Sequence, residues 1–205
     1  MHRFLKFIAV IAIVIGLESC ASSTKITNSW RDPALTAADL HFQKVLALAI
    51  VKDEATRRAA EEEMVRQIGP NKSVAAHNIL SGDDLKDVEK VKAKVTAEGF
   101  DGAVTMRLVG SEQQVTWVPG SYPNNYYSFY GYYGYAYPAV YDPGYMRTDV
   151  VVKVETNIYS VKDAKLVWTS LSESFNPDNA AQLVSEIADA VVYEMQDQGL
   201  IQKQK

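Results

Sequence analysis

The sequence predicts an α/β (α+β) domain: a mixed β-sheet of five to six strands, three helices packed mainly on one face, and a long aromatic loop inserted between strands. Three observations carry this. Apolar runs of strand length alternate with segments whose apolar residues recur every three or four positions, as in strands joined by helical crossovers. A strictly alternating stretch near residue 150 is followed at once by a second strand, which marks a hairpin. Between these parts, 119–146 is crowded with tyrosine, glycine and proline and follows neither period. With 47% hydrophobic and 22% charged residues the chain is able to bury a core. Its net charge of -4, without a lysine or arginine cluster, lacks the basic footprint of nucleic-acid binding, so no nucleic-acid partner is expected.

The elements follow in order. Residues 1–6 carry Arg3 and Lys6, and 7–17 (FIAVIAIVIGL) hold no charge. That run is too short to span a bilayer, which takes about 20 apolar residues, and reads as a signal peptide over 1–19. Leu17-Glu18-Ser19-Cys20 at its end resembles the lipobox of bacterial lipoproteins, in which the cysteine is acylated and becomes the mature amino terminus. Cys20 is the only cysteine, so no disulfide forms within the chain. Palmitate on Cys20 and anchorage to a membrane are what the motif implies, and Ala21 in place of an aspartate directs the expectation to the outer membrane. Residues 20–43 read as a lipidated tether entering the fold near Phe42, with Trp30 docked on the body, and 44–201 as one domain.

In that domain 44–51 (KVLALAIV) is a buried central strand. Asp53 caps a helix over 54–68, in which Ala60, Met64 and Ile68 share a face. A second strand is expected over 73–80, and a helix over 84–98 with Leu85, Val88, Val91 and Val95 on one stripe. Strands over 102–109 and 113–118 precede the insertion. Strands over 148–159 and 166–174 follow it, and a helix from Pro177 to about 198 closes the chain with Val184, Ile187, Val191 and Met195 inward.

The insertion at 119–146 holds ten of the twelve tyrosines. Glycine and proline oppose a regular core element, whereas each tyrosine offers a large amphipathic face at low rotamer cost. Tyr122, Tyr126, Tyr127, Phe129, Tyr130, Tyr132, Tyr133, Tyr135, Tyr137, Tyr141 and Tyr145 are therefore the candidate contact surface. Three uses remain open: rings folded over the sheet or set at the lipid headgroup level, a surface for an envelope protein or glycan, and self-association.

No catalytic constellation is visible. After cleavage only His41 and His77 remain as histidines, and His77 in a strand reads as a packed, hydrogen-bonded ring. Two histidines without a second cysteine do not make a zinc set. Glu61, Glu62 and Glu63 are consecutive on a helix and read as a solvated face, and Asp83, Asp84 and Asp87 suit a helix start. Asp142, near the end of the insertion, and Asp149, just after it, are the carboxylates a glycosidase reading would use. No catalytic, metal or cofactor site is assigned.

Ser29-Trp30-Arg31-Asp32-Pro33, Gly99-Phe100-Asp101-Gly102, Met106-Arg107-Leu108-Val109, Val118-Pro119-Gly120, the aromatic insert, 154–159 (VETNIY) and Lys165-Leu166-Val167-Trp168 together resemble a family of bacterial envelope lipoproteins of unknown function. The resemblance spans nearly the whole mature chain and attaches no activity to it. The expectation is an outer-membrane-anchored lipoprotein facing the periplasm, a non-enzymatic binding or assembly-supporting module with an envelope protein or glycan as partner. The alternatives are an envelope enzyme acting on cell-wall glycan and a self-associating structural surface lipoprotein.

Overall fold

The computed structural model describes residues 23–118, 128–141 and 144–202. Among these residues six strands, β1 (Thr24–Arg31), β2 (Val45–Ile50), β3 (Ser73–Ala75), β4 (Gly102–Val118), β5 (Tyr145–Ser160) and β6 (Lys165–Phe175), form one mixed sheet in the order β1-β6-β5-β4-β2-β3. β2 runs parallel to β3 and β4, and the remaining pairs are antiparallel. Four α-helices among the described residues accompany the sheet: α1 (Glu54–Ile68), α2 (Val88–Ala97), α3 (Phe129–Tyr141) and α4 (Ala180–Asp197).

The crossovers decide which face each helix covers. From β2 the chain moves outward through α1 to β3, then returns past β2 through α2 to β4. Parallel crossovers share one hand, so two that travel in opposite directions lie on opposite faces. The core divides accordingly. Ala60 and Met64 of α1 pack with Val184, Ile187, Val191 and Met195 of α4 against Ala47, Ala49, Met106, Val154, Ile158 and Trp168. Val95 of α2 packs with Leu46, Ala76, Leu80 and Phe100 on the other side. The continuous apolar run of β2 is thus explained by burial on both faces from Val45 to Ala47, while Ile50 at its end is half exposed. Two helices cover one face and one covers part of the other, while no described side chain of α3 joins either core.

Several elements differ from the sequence reading. Residues 24–31, expected within the tether, form edge strand β1 paired with β6. A bulge between Ile26 and Asn28 shifts the register and breaks the period of two that would have marked a strand. Polar contacts hold it instead: Ser23 and Thr24 donate to Glu186 of α4 at 2.6 and 2.9 Å, and Ser29 donates to Glu194 at 2.6 Å. Trp30 lies across the opposite face beside Val109, Glu155 and Leu171 and remains half exposed.

The strand expected over 73–80 stops at Ala75 and turns into a short 3-10 helix, Ala76–Asn78. The helix expected over 84–98 is a 3-10 turn, Asp84–Lys86, followed by α2, because Asp87 accepts from the backbone of Glu89 and Lys90 and starts a new helix. Val88 consequently leaves the apolar stripe and is 76% exposed. Residues 102–118 are one long strand rather than two, with the register shift between Leu108 and Gly110 absorbed as a bulge. Asn179 caps α4 by accepting from Gln182, so that helix begins three residues after Pro177.

The acidic run of α1 is the largest correction. Glu61 is fully buried and Glu63 is buried, whereas a solvated face was expected. Glu61 accepts from the backbone of His77 at 2.7 Å and of Ala49 at 3.2 Å, lies 2.8 Å from His77 Nδ1, and has Arg57 at 3.7 Å. Its partners come from β2 and from the turn after β3, which no helical spacing reveals. The carboxylate ties α1 to two elements of the sheet layer.

Candidate functional site

The site grows out of the sheet. Thr24, Ser174, Val152 and Ser111 stand in one cross-strand row through β1, β6, β5 and β4. Beyond that row β6 ends and β1 begins, but β4 and β5 remain paired alone as far as Val118 opposite Tyr145. The two strands form an arm. Opposite residues of an antiparallel pair share a face, so Trp117 with Met146, and Val115 with Thr148, define one face of it. Val115, Trp117, Tyr145 and Met146 are all exposed.

The root of the arm is pinned. Asp149 accepts from Asn176 Nδ2 at 2.7 Å and from Arg147 Nε at 2.9 Å, and the side-chain oxygen of Asn176 accepts from the backbone of Val150 at 2.7 Å. These contacts, that with Asn176 foremost, hold the Asp149 carboxyl below the usual carboxylate range. It is buried and ionised. Its contacts tie the root of the arm together, and Asp142, the other member of the carboxylate pair, lies outside the described residues.

The strands of the arm lead into α3, where a featureless loop was expected. Ser128 begins the helix, its hydroxyl accepting from Gly131 at 3.1 Å and its carbonyl from Tyr132 at 2.9 Å. Residues four apart are neighbours on a helix surface. Phe129 stacks on Tyr133 at 6.3 Å and Tyr133 on Tyr137 at 5.3 Å between ring centroids, while Tyr130 meets Phe129 edge-on at 5.3 Å. The column of rings offsets the glycines and Pro138, and its spacing of four was the signal available in the sequence. Tyr130 is 84% exposed, and the other three rings are at least half exposed.

Of the predicted contact residues, Phe129, Tyr130, Tyr132, Tyr133 and Tyr137 therefore come together on α3, and Tyr145 lies on the arm. Tyr135 and Tyr141 belong to the helix by their backbone, with their rings outside the described side chains. Tyr122, Tyr126, Tyr127 and Cys20 lie outside the described residues.

Sequence reasoning missed a cavity of about 270 Å³ at the base of the arm, between the sheet and the starts of α1 and α4. Its walls include Val51, Ala60, Leu108, Val152, Leu183 and Ile187, and no titratable side chain among the described residues lines it. The apolar spacing of both helices contained the lining, but only their convergence on β4 and β5 creates the space. Among the described residues no group of three or more metal-ligating side chains converges.

No family model matches the sequence, and no curated protein matches it. Among solved structures the chain is similar to the PelC dodecamer from Paraburkholderia phytofirmans, at 11% identity and a TM-score of 0.41 over 82% of this chain and 94% of that one. The dodecamer of a PelC point variant from the same organism gives 11% identity and a TM-score of 0.41 over 80% and 93%. Lipoprotein GNA1162 from Neisseria meningitidis is similar at 9% identity and a TM-score of 0.40, over 75% of this chain and 98% of that one.

Proposed function

We propose that this protein is a lipid-anchored, non-enzymatic binding or assembly-supporting module of the bacterial envelope, held at the outer membrane with its domain facing the periplasm. The observation that carries this reading is the aromatic arm, which stands clear of a body whose two cores close without it. Contiguous exposed apolar surface is uncommon on a monomeric soluble protein and marks a place of contact. The Leu17-Glu18-Ser19-Cys20 motif supports the anchor. Titratable groups of the body that a hydrolase would need, such as Glu61, His77 and Asp149, are taken up in hydrogen-bonded contacts between elements.

A photoreactive residue in place of Tyr130 should yield a specific adduct in living cells, lost when Phe129, Tyr133 and Tyr137 are all replaced by serine. An arm that yields no adduct overturns the contact reading. Incubation of the protein with purified peptidoglycan should release no soluble fragments, and turnover would establish an enzyme instead. Labelled palmitate should enter the native chain and not Cys20→Ala; equal labelling would remove the anchor.

A further inference from the structure

We infer that the aromatic arm takes a lipid surface as its partner, seating Trp117, Met146, Tyr145 and the rings of α3 at the headgroup level of the membrane that holds the anchor. The inference rests on the lipid-anchored reading above and specifies what its contact surface meets. What carries it is a coincidence of direction. Toward lower residue numbers β1 leaves the row of Thr24, Ser174, Val152 and Ser111 on the same side on which β4 and β5 extend. β1 therefore starts at the end of the sheet from which the arm extends.

The lengths are comparable. Cys20 stands four residues before Thr24, so its Cα lies at most about 14 Å from the row even with the chain fully extended. From Ser111 to Val118 the arm advances seven residues, about 23 Å. Sheet twist of roughly 20–25° per strand turns β5 about 45° from β1 over two strand steps and β4 about 65° over three, leaving an axial reach of about 16 Å on β5 and about 10 Å on β4. The arm thus projects toward the bilayer over a distance comparable with that limit, before its side chains are added. A body drawn to the membrane by Cys20 carries the arm into the headgroup region with it.

The chemistry of the arm suits that position. Tyrosine and tryptophan concentrate at membrane interfaces, where the ring is apolar and its polar atom stays wet. From residue 113 to 146 the sequence carries one charge, Asp142, and the next, Arg147, is already paired with Asp149. A helix of 13 residues such as α3 is about 20 Å long, short of the roughly 30 Å hydrocarbon core, and so lies at the interface instead of crossing. With the anchor at one point and the arm at a second, the domain has a defined tilt on the membrane, with the turn at residues 161–164 farthest from it.

Depth-dependent quenching tests this on the full acylated chain. Cys20 is acylated on sulfur, so an introduced Tyr145→Cys or Lys162→Cys carries the only free thiol, and both positions are exposed. Each variant is labelled with a fluorophore and reconstituted into vesicles of phosphatidylethanolamine and phosphatidylglycerol containing a lipid with a shallow acyl nitroxide. The dye at 145 should be quenched severalfold more than the dye at 162, independently of protein concentration. Equal quenching in a chain that takes palmitate and floats with the vesicles overturns the inference and leaves the anchor standing. A dye at 145 shielded without vesicles, and more so as protein concentration rises, shows a second copy as occupant and also overturns it. A chain that neither takes palmitate nor floats overturns the anchor and the inference together.

Discussion

Glu61 shows how much a single side chain decides in this fold. Removing one partner of a buried, hydrogen-bonded charged cluster strands the others, at a cost of about 3–5 kcal/mol. Glu61→Ala should lower the urea midpoint accordingly, with the backbone N–H groups of His77 and Ala49 left without their acceptor; Glu62→Ala, half exposed, should move it far less. Gly102 is a second such position. A Cβ there would stand 2.5 Å from the Phe42 ring, so Gly102→Ala is an overpacking change expected to destabilise by about 1–3 kcal/mol in thermal or urea unfolding. Glu54 reports on pH. Hydrogen bonds from Arg57 first, then Arg58, lower its carboxyl from 4.5 to about 2. Because the folded value is the lower one, this stabilisation is present above about pH 4.5 and is lost as pH falls toward 2. Glu54→Gln should flatten the dependence of the urea midpoint on pH within that window.

At the scale of elements, local capping competes with periodicity, and capping sets the boundaries. The apolar stripe of residues 85–95 was legible as one helix, yet Asp87 interrupts it because a carboxylate at that position satisfies two helix N–H groups. Asp87→Ala should cost about 1 kcal/mol and loosen the start of α2, measurable as faster amide exchange at Glu89 and Lys90. α3 presents the opposite case. Its glycines and Pro138 argued for a loop, whereas the spacing of Phe129, Tyr133 and Tyr137 supplied a stacked column. Tyr133→Ser removes the middle ring and should lower helicity within the insertion while leaving the unfolding midpoint of the body unchanged, since no described side chain of α3 enters either core. β1 escaped the sequence reading because a bulge hid its alternation and because its contacts with Glu186 and Glu194 are polar.

In the molecule as a whole, stability and surface are assigned to different parts of one sheet. The core is built from α1, α2, α4 and the strand segments they cover, and the arm adds surface without adding core. That division makes a prediction about cooperativity. Trp117→Ser on the arm should leave the unfolding midpoint nearly unchanged, whereas Trp168→Ser, which empties a fully buried site, should abolish or severely weaken folding. The two substitutions test whether arm and body are energetically separate, and both are read in one urea titration.

The sequence by itself determined the mixed α/β class, the buried central strand, the span of α1, the inward face of α4 and the uncharged character of the aromatic segment. These are properties of neighbours along the chain, where periodicity and composition act directly. Tertiary structure alone decided that Glu61 is a buried tie instead of a solvated charge, that residues 24–31 close the sheet edge, and that a cavity opens at the base of the arm. It also decided that the arm leaves the sheet on the side from which β1 begins. Each of these depends on strand register between segments far apart in sequence, and register is fixed by packing across the sheet, which no local pattern encodes.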